Sequence, residues 1–167
     1  MLSFKFKVMR KNRKYGFSLT LALIMTLATI ASCNNDNCSG NGSAIPLAGF
    51  YNGDKQVSIA SLTVYGIGAL NDSVIIDKTS ASSVYLPLRL SSTNCQFVFN
   101  YNTEDVKNDT LTLGYDAIPY FESHECGAMY NFRISSMEHT SNVIDSVKIP
   151  DPMITNADVV SIKIYVR

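Results

Sequence analysis

Residues 160–166 place Val160, Ile162, Ile164 and Val166 alternately with Ser161, Lys163 and Tyr165. A period of two puts the aliphatic side chains on one face of an extended segment, the pattern of a strand buried on one side. The same habit runs through the chain from Ile45 onward. Short β-branched and aromatic runs are separated by clusters of Asn, Asp, Gly and Ser, and no segment there keeps a 3.6-residue apolar period for three turns. Strands are predicted at 45–51, 57–66, 73–77, 83–90, 95–102, 110–116, 128–136, 143–149 and 159–166. Eight or nine short strands with frequent turns predict an all-β fold, a two-sheet antiparallel sandwich of immunoglobulin-like or Greek-key type, with a small β-barrel as the alternative. Pro46, Pro87, Pro119, Pro150 and Pro152 each fall near a strand end or edge, where a missing N–H is tolerated.

The residues before Ile45 follow a different rule. Lys5, Lys7, Arg10, Lys11, Arg13 and Lys14 precede an apolar stretch from Phe17 to Ala31, the layout of an export signal. That stretch makes roughly 22 Å of helix, short of the ~30 Å hydrocarbon core of a bilayer, so export is favoured over a retained membrane anchor. It closes on Ile30-Ala31-Ser32-Cys33, which resembles the lipobox of bacterial lipoproteins and implies a lipid on Cys33. Two or more acyl chains give stable anchoring. Asn34 rather than Asp follows the cysteine, which favours sorting to the outer membrane, on its periplasmic or its cell-surface face. The expected organisation is a lipoprotein signal peptide over 1–32, a polar tether over 33–44 and a single β-sandwich domain over 45–167.

Six of the fourteen basic residues lie in the signal, so the chain from Cys33 carries eight against fourteen acidic residues, a net charge of −6. This argues against nucleic acid, which needs a basic face. It also argues against charge-driven attachment to anionic lipid, and leaves the membrane contact to the lipid anchor. Beyond Cys33 remain Cys38, Cys95 and Cys126. Cys95 alternates with Gln96 in a strand-like run and reads as a small packed residue. Cys38 and Cys126 lie near glycines in predicted loops and are the expected disulfide, which in the chain-entropy model contributes about 4 to 5 kcal/mol.

Catalytic or cofactor chemistry is not indicated. Glu122, His124 and Glu125 are the densest group of ligand types and are weak candidates for a metal site, but a polar loop leading to Cys126 explains them as well. Gly66-Ile67-Gly68 lacks the third glycine of a nucleotide-binding loop and reads as a turn or bulge. Glu104 and Asp105 read as a solvated turn, and His139 as the tip of a hairpin. No Gly-x-Ser-x-Gly occurs. No catalytic residue and no cofactor are expected.

Two resemblances add to this reading. Asp72-Ser73-Val74, Asp109-Thr110-Leu111 and Asp145-Ser146-Val147 resemble the Asp-Ser/Thr-aliphatic acceptor of the general O-glycosylation system of Bacteroidota, which would make Ser73, Thr110 and Ser146 acceptors; turn chemistry explains the same tripeptides. In order, Leu62-Thr63-Val64-Tyr65-Gly66-Ile67-Gly68, Asp72-Ser73, Leu86-Pro87-Leu88, Phe97-Val98-Phe99, Asp109-Thr110-Leu111 and Ser123-x-x-Cys126-Gly127 resemble an uncharacterised Bacteroidota lipoprotein family, domain of unknown function 6452, over nearly the whole chain beyond the signal. The resemblance implies a β-rich envelope lipoprotein with no assigned activity and two cysteines placed like Cys38 and Cys126. Cys95 departs from that pattern, which leaves it unpaired or open to an alternative bridge.

The expected function is therefore a non-enzymatic, outer-membrane-anchored binding or accessory module for an envelope partner, such as an outer-membrane protein. A metal-dependent or hydrolytic enzyme using Glu122, His124 and Glu125 is the alternative. A carbohydrate-binding module is a second, weakened by the absence of Trp. Replacing Cys33 by Ala is expected to release the protein from the membrane fraction or leave an uncleaved precursor. Unchanged membrane partitioning in cell fractionation would contradict the lipobox.

Overall fold

The computed structural model of the chain describes residues 42–68, 73–123 and 127–167, and no helix occurs among them. Their strands are β1 (Leu47–Asn52), β2 (Lys55–Gln56), β3 (Ile59–Ile67), β4 (Val74–Ala81), β5 (Ser83–Tyr85), β6 (Asn94–Asn100), β7 (Asp109–Ser123), β8 (Gly127–His139), β9 (Ile144–Lys148), β10 (Met153–Ile154) and β11 (Val160–Val166). One sheet runs β2-β1-β11-β9 with β5 also on β1; the other runs β10-β8-β7-β6-β3-β4. This is the two-sheet, all-β sandwich expected from the alternation.

One pairing is not antiparallel. β1 lies parallel to β11, with Phe50 opposite Ile164 and Tyr51 opposite Tyr165. A parallel pair needs a long connection, and here nearly the whole domain is that connection. Residues far apart in the chain therefore share one strand pair, which periodicity within a single segment does not report.

The alternation in β11 does what it predicts. Ile162 and Ile164 are fully buried, while Ser161, Lys163 and Tyr165 are half-buried on the other face. There Lys163 lies over the Tyr51 ring at 5.3 Å and Lys148 over the Tyr165 ring at 5.1 Å, so the lysines cover aromatic surface with their charges in water. Between the sheets, Phe50 of one meets Phe99 of the other edge-on at 6.0 Å, and Leu62, Val64, Leu111, Leu113 and Ile144 fill the space around them.

The largest departure from the expected strands is the β7–β8 hairpin. The strand expected at 110–116 is longer: β7 continues to Ser123 and pairs with β8, Pro119 opposite Tyr130. The ladder with β6 stops at Gly114, so Pro119 lies where β7 has left β6 behind and a missing N–H breaks no ladder on that side. The hairpin therefore extends as an arm beyond β6.

The passage from β8 in one sheet to β9 in the other is built on Asp109, the first residue of β7, which is fully buried. Its Oδ1 accepts from the Thr140 hydroxyl at 2.7 Å and the Asn142 N–H at 2.8 Å. Its Oδ2 accepts from the N–H groups of Val143 (2.7 Å) and Ile144 (2.9 Å) and from the Tyr101 hydroxyl (2.9 Å). Burial raises the pKa of such a carboxyl, but these donors outweigh it and hold Asp109 below the ordinary carboxylate value. Tyr101 moves the other way, raised by burial and then by its bond to Asp109. The tip expected at His139 is thus a strand end followed by a turn wrapped around this carboxylate; His139 closes β8 with Nδ1 2.8 Å from the Thr140 carbonyl oxygen.

Removing the carboxylate leaves several buried donors without an acceptor. Asp109→Ala is expected to cost about 3 to 5 kcal/mol in denaturant unfolding. Because the folded pKa of Asp109 is depressed, its stabilisation is complete above about pH 4, the unfolded carboxylate range, and is lost as pH falls through the folded value. A variant Asp109→Asn that still folds should lose that part of the acid limb in a stability profile against pH.

Candidate functional site

The β3–β6 ladder is regular from Thr63 to Ile67, so Val64 faces inward opposite Phe99 and Gly66 occupies the next inward position, opposite Phe97. Cys95, Phe97 and Phe99 are buried along that face of β6. At Gly66 the side-chain row of β3 stops. A Cβ there would meet nothing nearer than a Phe97 ring atom at 3.8 Å, and only Gly68, the next glycine along, needs positive φ (73°). The missing side chain thus leaves space rather than relieving backbone strain. That space is a cavity of about 210 Å³, lined mainly by Ile67, Ile75, Leu88, Phe97, Cys95 and Arg89. The glycine pair expected to form a turn or bulge is half strand and half turn, and its strand half opens a pocket.

The wall opposite β6 is the segment Pro87-Leu88-Arg89, which follows β5. It is held by one hydroxyl: Tyr115 Oη donates to the Arg89 carbonyl at 2.8 Å and accepts the Arg89 N–H at 3.0 Å. The Cys95 thiol lies 3.1 Å from the same oxygen. Burial, then the bond with Cys95, pushes the Tyr115 hydroxyl up to about 12, so it stays a neutral donor at ordinary pH. Cys95 is a free, buried thiol that packs as its alternation suggested.

Arg89 is the polar group of this site. Its Nη1 donates to the Gly68 carbonyl, and its Nε is buried without a partner. The ion pair found among the described residues is Arg167 with Asp145, 3.4 Å apart at the surface, and no described carboxylate reaches Arg89. A guanidinium at the edge of an apolar cavity, unneutralised by the described acids, favours an anionic group.

A second surface is the β7–β8 arm. Phe121 near its end is 64% exposed, and the Tyr120 hydroxyl lies 3.6 Å from the Met129 sulfur across the hairpin. The N-terminal chain meets the arm partway along its length, where Ala44 N–H donates to the Tyr130 carbonyl at 2.8 Å and Ala44 itself is buried.

The residues singled out in the sequence are spread over the fold. Glu122 belongs to β7 rather than to a loop, and His124 and Glu125 lie outside the described residues, as do Cys33, Cys38 and Cys126. Among the described residues no cluster of three or more His, Cys, Asp or Glu is placed to hold a metal ion. Glu104 and Asp105 are in an exposed turn. Of the three expected acceptors, Ser73 is exposed just before β4, whereas Thr110 and Ser146 are half-buried within β7 and β9. Asp109, part of one such tripeptide, serves the interior. Arg89 and Tyr115 were not singled out by the sequence; neither belongs to a motif, and only the fold brings them together.

A family model described as a family of unknown function (DUF6452) matches residues 61–166. The match starts within β3 and leaves β1 and β2 outside it. No curated protein matches the chain, and no solved structure does.

Tyr115→Phe removes the partner of both Arg89 backbone groups. It is expected to lower stability by about 1 to 3 kcal/mol and to speed alkylation of Cys95. A stability loss below about 0.5 kcal/mol with unchanged alkylation would show that the hydroxyl does not hold the pocket wall.

Proposed function

For a chain that belongs to the family of unknown function DUF6452, we propose a non-enzymatic accessory role: a domain tethered to the outer membrane by lipid on Cys33, binding an envelope protein through the β7–β8 arm. The observation that carries this reading is the bond between Ala44 and Tyr130, which brings the N-terminal chain into the fold partway along the arm. Eleven positions separate Cys33 from Ala44, so a lipid on Cys33 lies within roughly 40 Å of that point even with the chain fully extended. An arm held there works close to the membrane plane, where an outer-membrane protein presents its surface.

The proposed bridge between Cys38 and Cys126 fits the same anchor. Cys38 is six positions from Ala44 and Cys126 four from Tyr130, distances of roughly 20 Å and 13 Å in extended chain. The two thiols are thus within reach of one another from neighbouring attachment points, and a bridge would shorten the tether. Pro119 blunts the free side of β7 against strand addition, so recognition rests on side chains, with Phe121 the exposed aromatic anchor. Ser73, exposed at the start of β4, is the best placed of the proposed glycosylation sites.

A photo-crosslinking amino acid in place of Phe121, activated in intact cells, is expected to trap a defined envelope protein identified by mass spectrometry. The same amino acid at Glu104, in the exposed turn, should trap far less of it. Recovery of the protein alone from both positions would overturn the arm as a docking surface.

A further inference from the structure

We propose that the cavity beside Gly66 is a binding site for a small amphiphilic carboxylate, its apolar body between Phe97, Ile75 and Leu88 and its carboxylate on Arg89. The size of the ligand follows from the volume. An apolar cavity of about 150 Å³ holds benzene; this one, at about 210 Å³, holds a single ring or short chain with a few further atoms. Its lining is mainly aliphatic and aromatic, as small-molecule sites are, with few polar groups to orient the occupant.

The charge of the ligand follows from Arg89. The described acids leave its guanidinium without a counter-charge, in a domain whose net charge is otherwise negative. Nη1 is tied to the Gly68 carbonyl, which fixes the fork at the cavity edge before any ligand arrives. A carboxylate is the planar acceptor that matches such a fork, and an oriented guanidinium loses little freedom on binding it. The wall that carries Arg89 is itself held by the Tyr115 hydroxyl. The site is therefore preorganised at both ends, and its apolar depth comes from the absence of a side chain at Gly66. This site does not depend on the lipid tether or on the arm.

Phenylacetate and its neutral counterpart 2-phenylethanol test the inference, with the full chain in lipid nanodiscs and δ1-methyl labels on isoleucine read by NMR. Phenylacetate is expected to shift the Ile67 and Ile75 methyls saturably, and 2-phenylethanol to bind at least about tenfold more weakly. In Arg89→Gln that preference should vanish. In Gly66→Val, whose side chain enters the cavity from unstrained backbone, both shifts should disappear while the remaining isoleucine methyls keep their positions. Absence of saturable shifts at Ile67 and Ile75 in the wild type would overturn the site. Equal binding of acid and alcohol to the wild type would overturn the carboxylate, and undiminished binding by a folded Gly66→Val would overturn the location.

Discussion

The carboxylate of Asp109 holds the passage from β8 to β9, one of the places where the chain leaves one sheet for the other. Tyr101 comes from the end of β6, Thr140 from the end of β8, and Val143 and Ile144 from the start of β9; all donate to its two oxygens. A buried carboxylate with no cation is costly unless its lone pairs are filled, and here neutral donors fill them. Charge-assisted bonds of this kind are stronger than neutral ones. They also demand one geometry, so the 140–144 turn, the start of β7 and the end of β6 become a single rigid corner. The paired sheets that surround Phe50 and Phe99 depend on that corner.

A second polar junction repeats the device on a smaller scale. The Thr63 hydroxyl donates to Asp77 at 2.9 Å and accepts from the Lys78 N–H and the Asn102 amide at 3.0 and 2.9 Å. Around it cluster Ser61, Lys78 and Asn102, the non-glycine residues with positive φ among those described. Left-handed backbone costs about a kilocalorie or more for residues with a Cβ; bonds to Thr63 hold Lys78 and Asn102, and the Asn102 amide in turn bonds the Ser61 carbonyl, where the β3–β4 register slips. Tyr115 forms a third junction at the cavity wall. Each places one buried polar side chain where strands or sheets change partners, and apolar packing fills the space between.

The two surfaces proposed to act sit on this frame in different ways. The cavity is a gap in an otherwise complete row of core side chains, bounded by elements that Tyr115 locks together. The arm is the opposite, a hairpin continued past its neighbour β6 until Phe121 is mostly exposed. Continuing an antiparallel pair beyond a sheet leaves apolar side chains with fewer neighbours, and such surface invites a partner.

Much of the architecture was legible residue by residue. The alternation of Val160 to Val166 identified the buried face of β11, and the run from Cys95 to Phe99 identified that of β6, because a period of two is a local property of extended chain. The absence of a helical period set the class for the same reason. Local patterns were silent on the β1–β11 pairing and on the continuation of β7 through Pro119, since both depend on which strand lies alongside. Asp109 carried only the signal of a turn residue, because its donors stand up to 35 positions away. Arg89 and Tyr115 bore no motif, and Gly66 looked like punctuation. The sequence alone determined the fold class and the inward-facing rows, both of which depend on neighbours along the chain. Only the tertiary structure decided which buried acid holds the corner, where a missing side chain opens a cavity and which arginine guards it, because these are relations between residues brought together by packing.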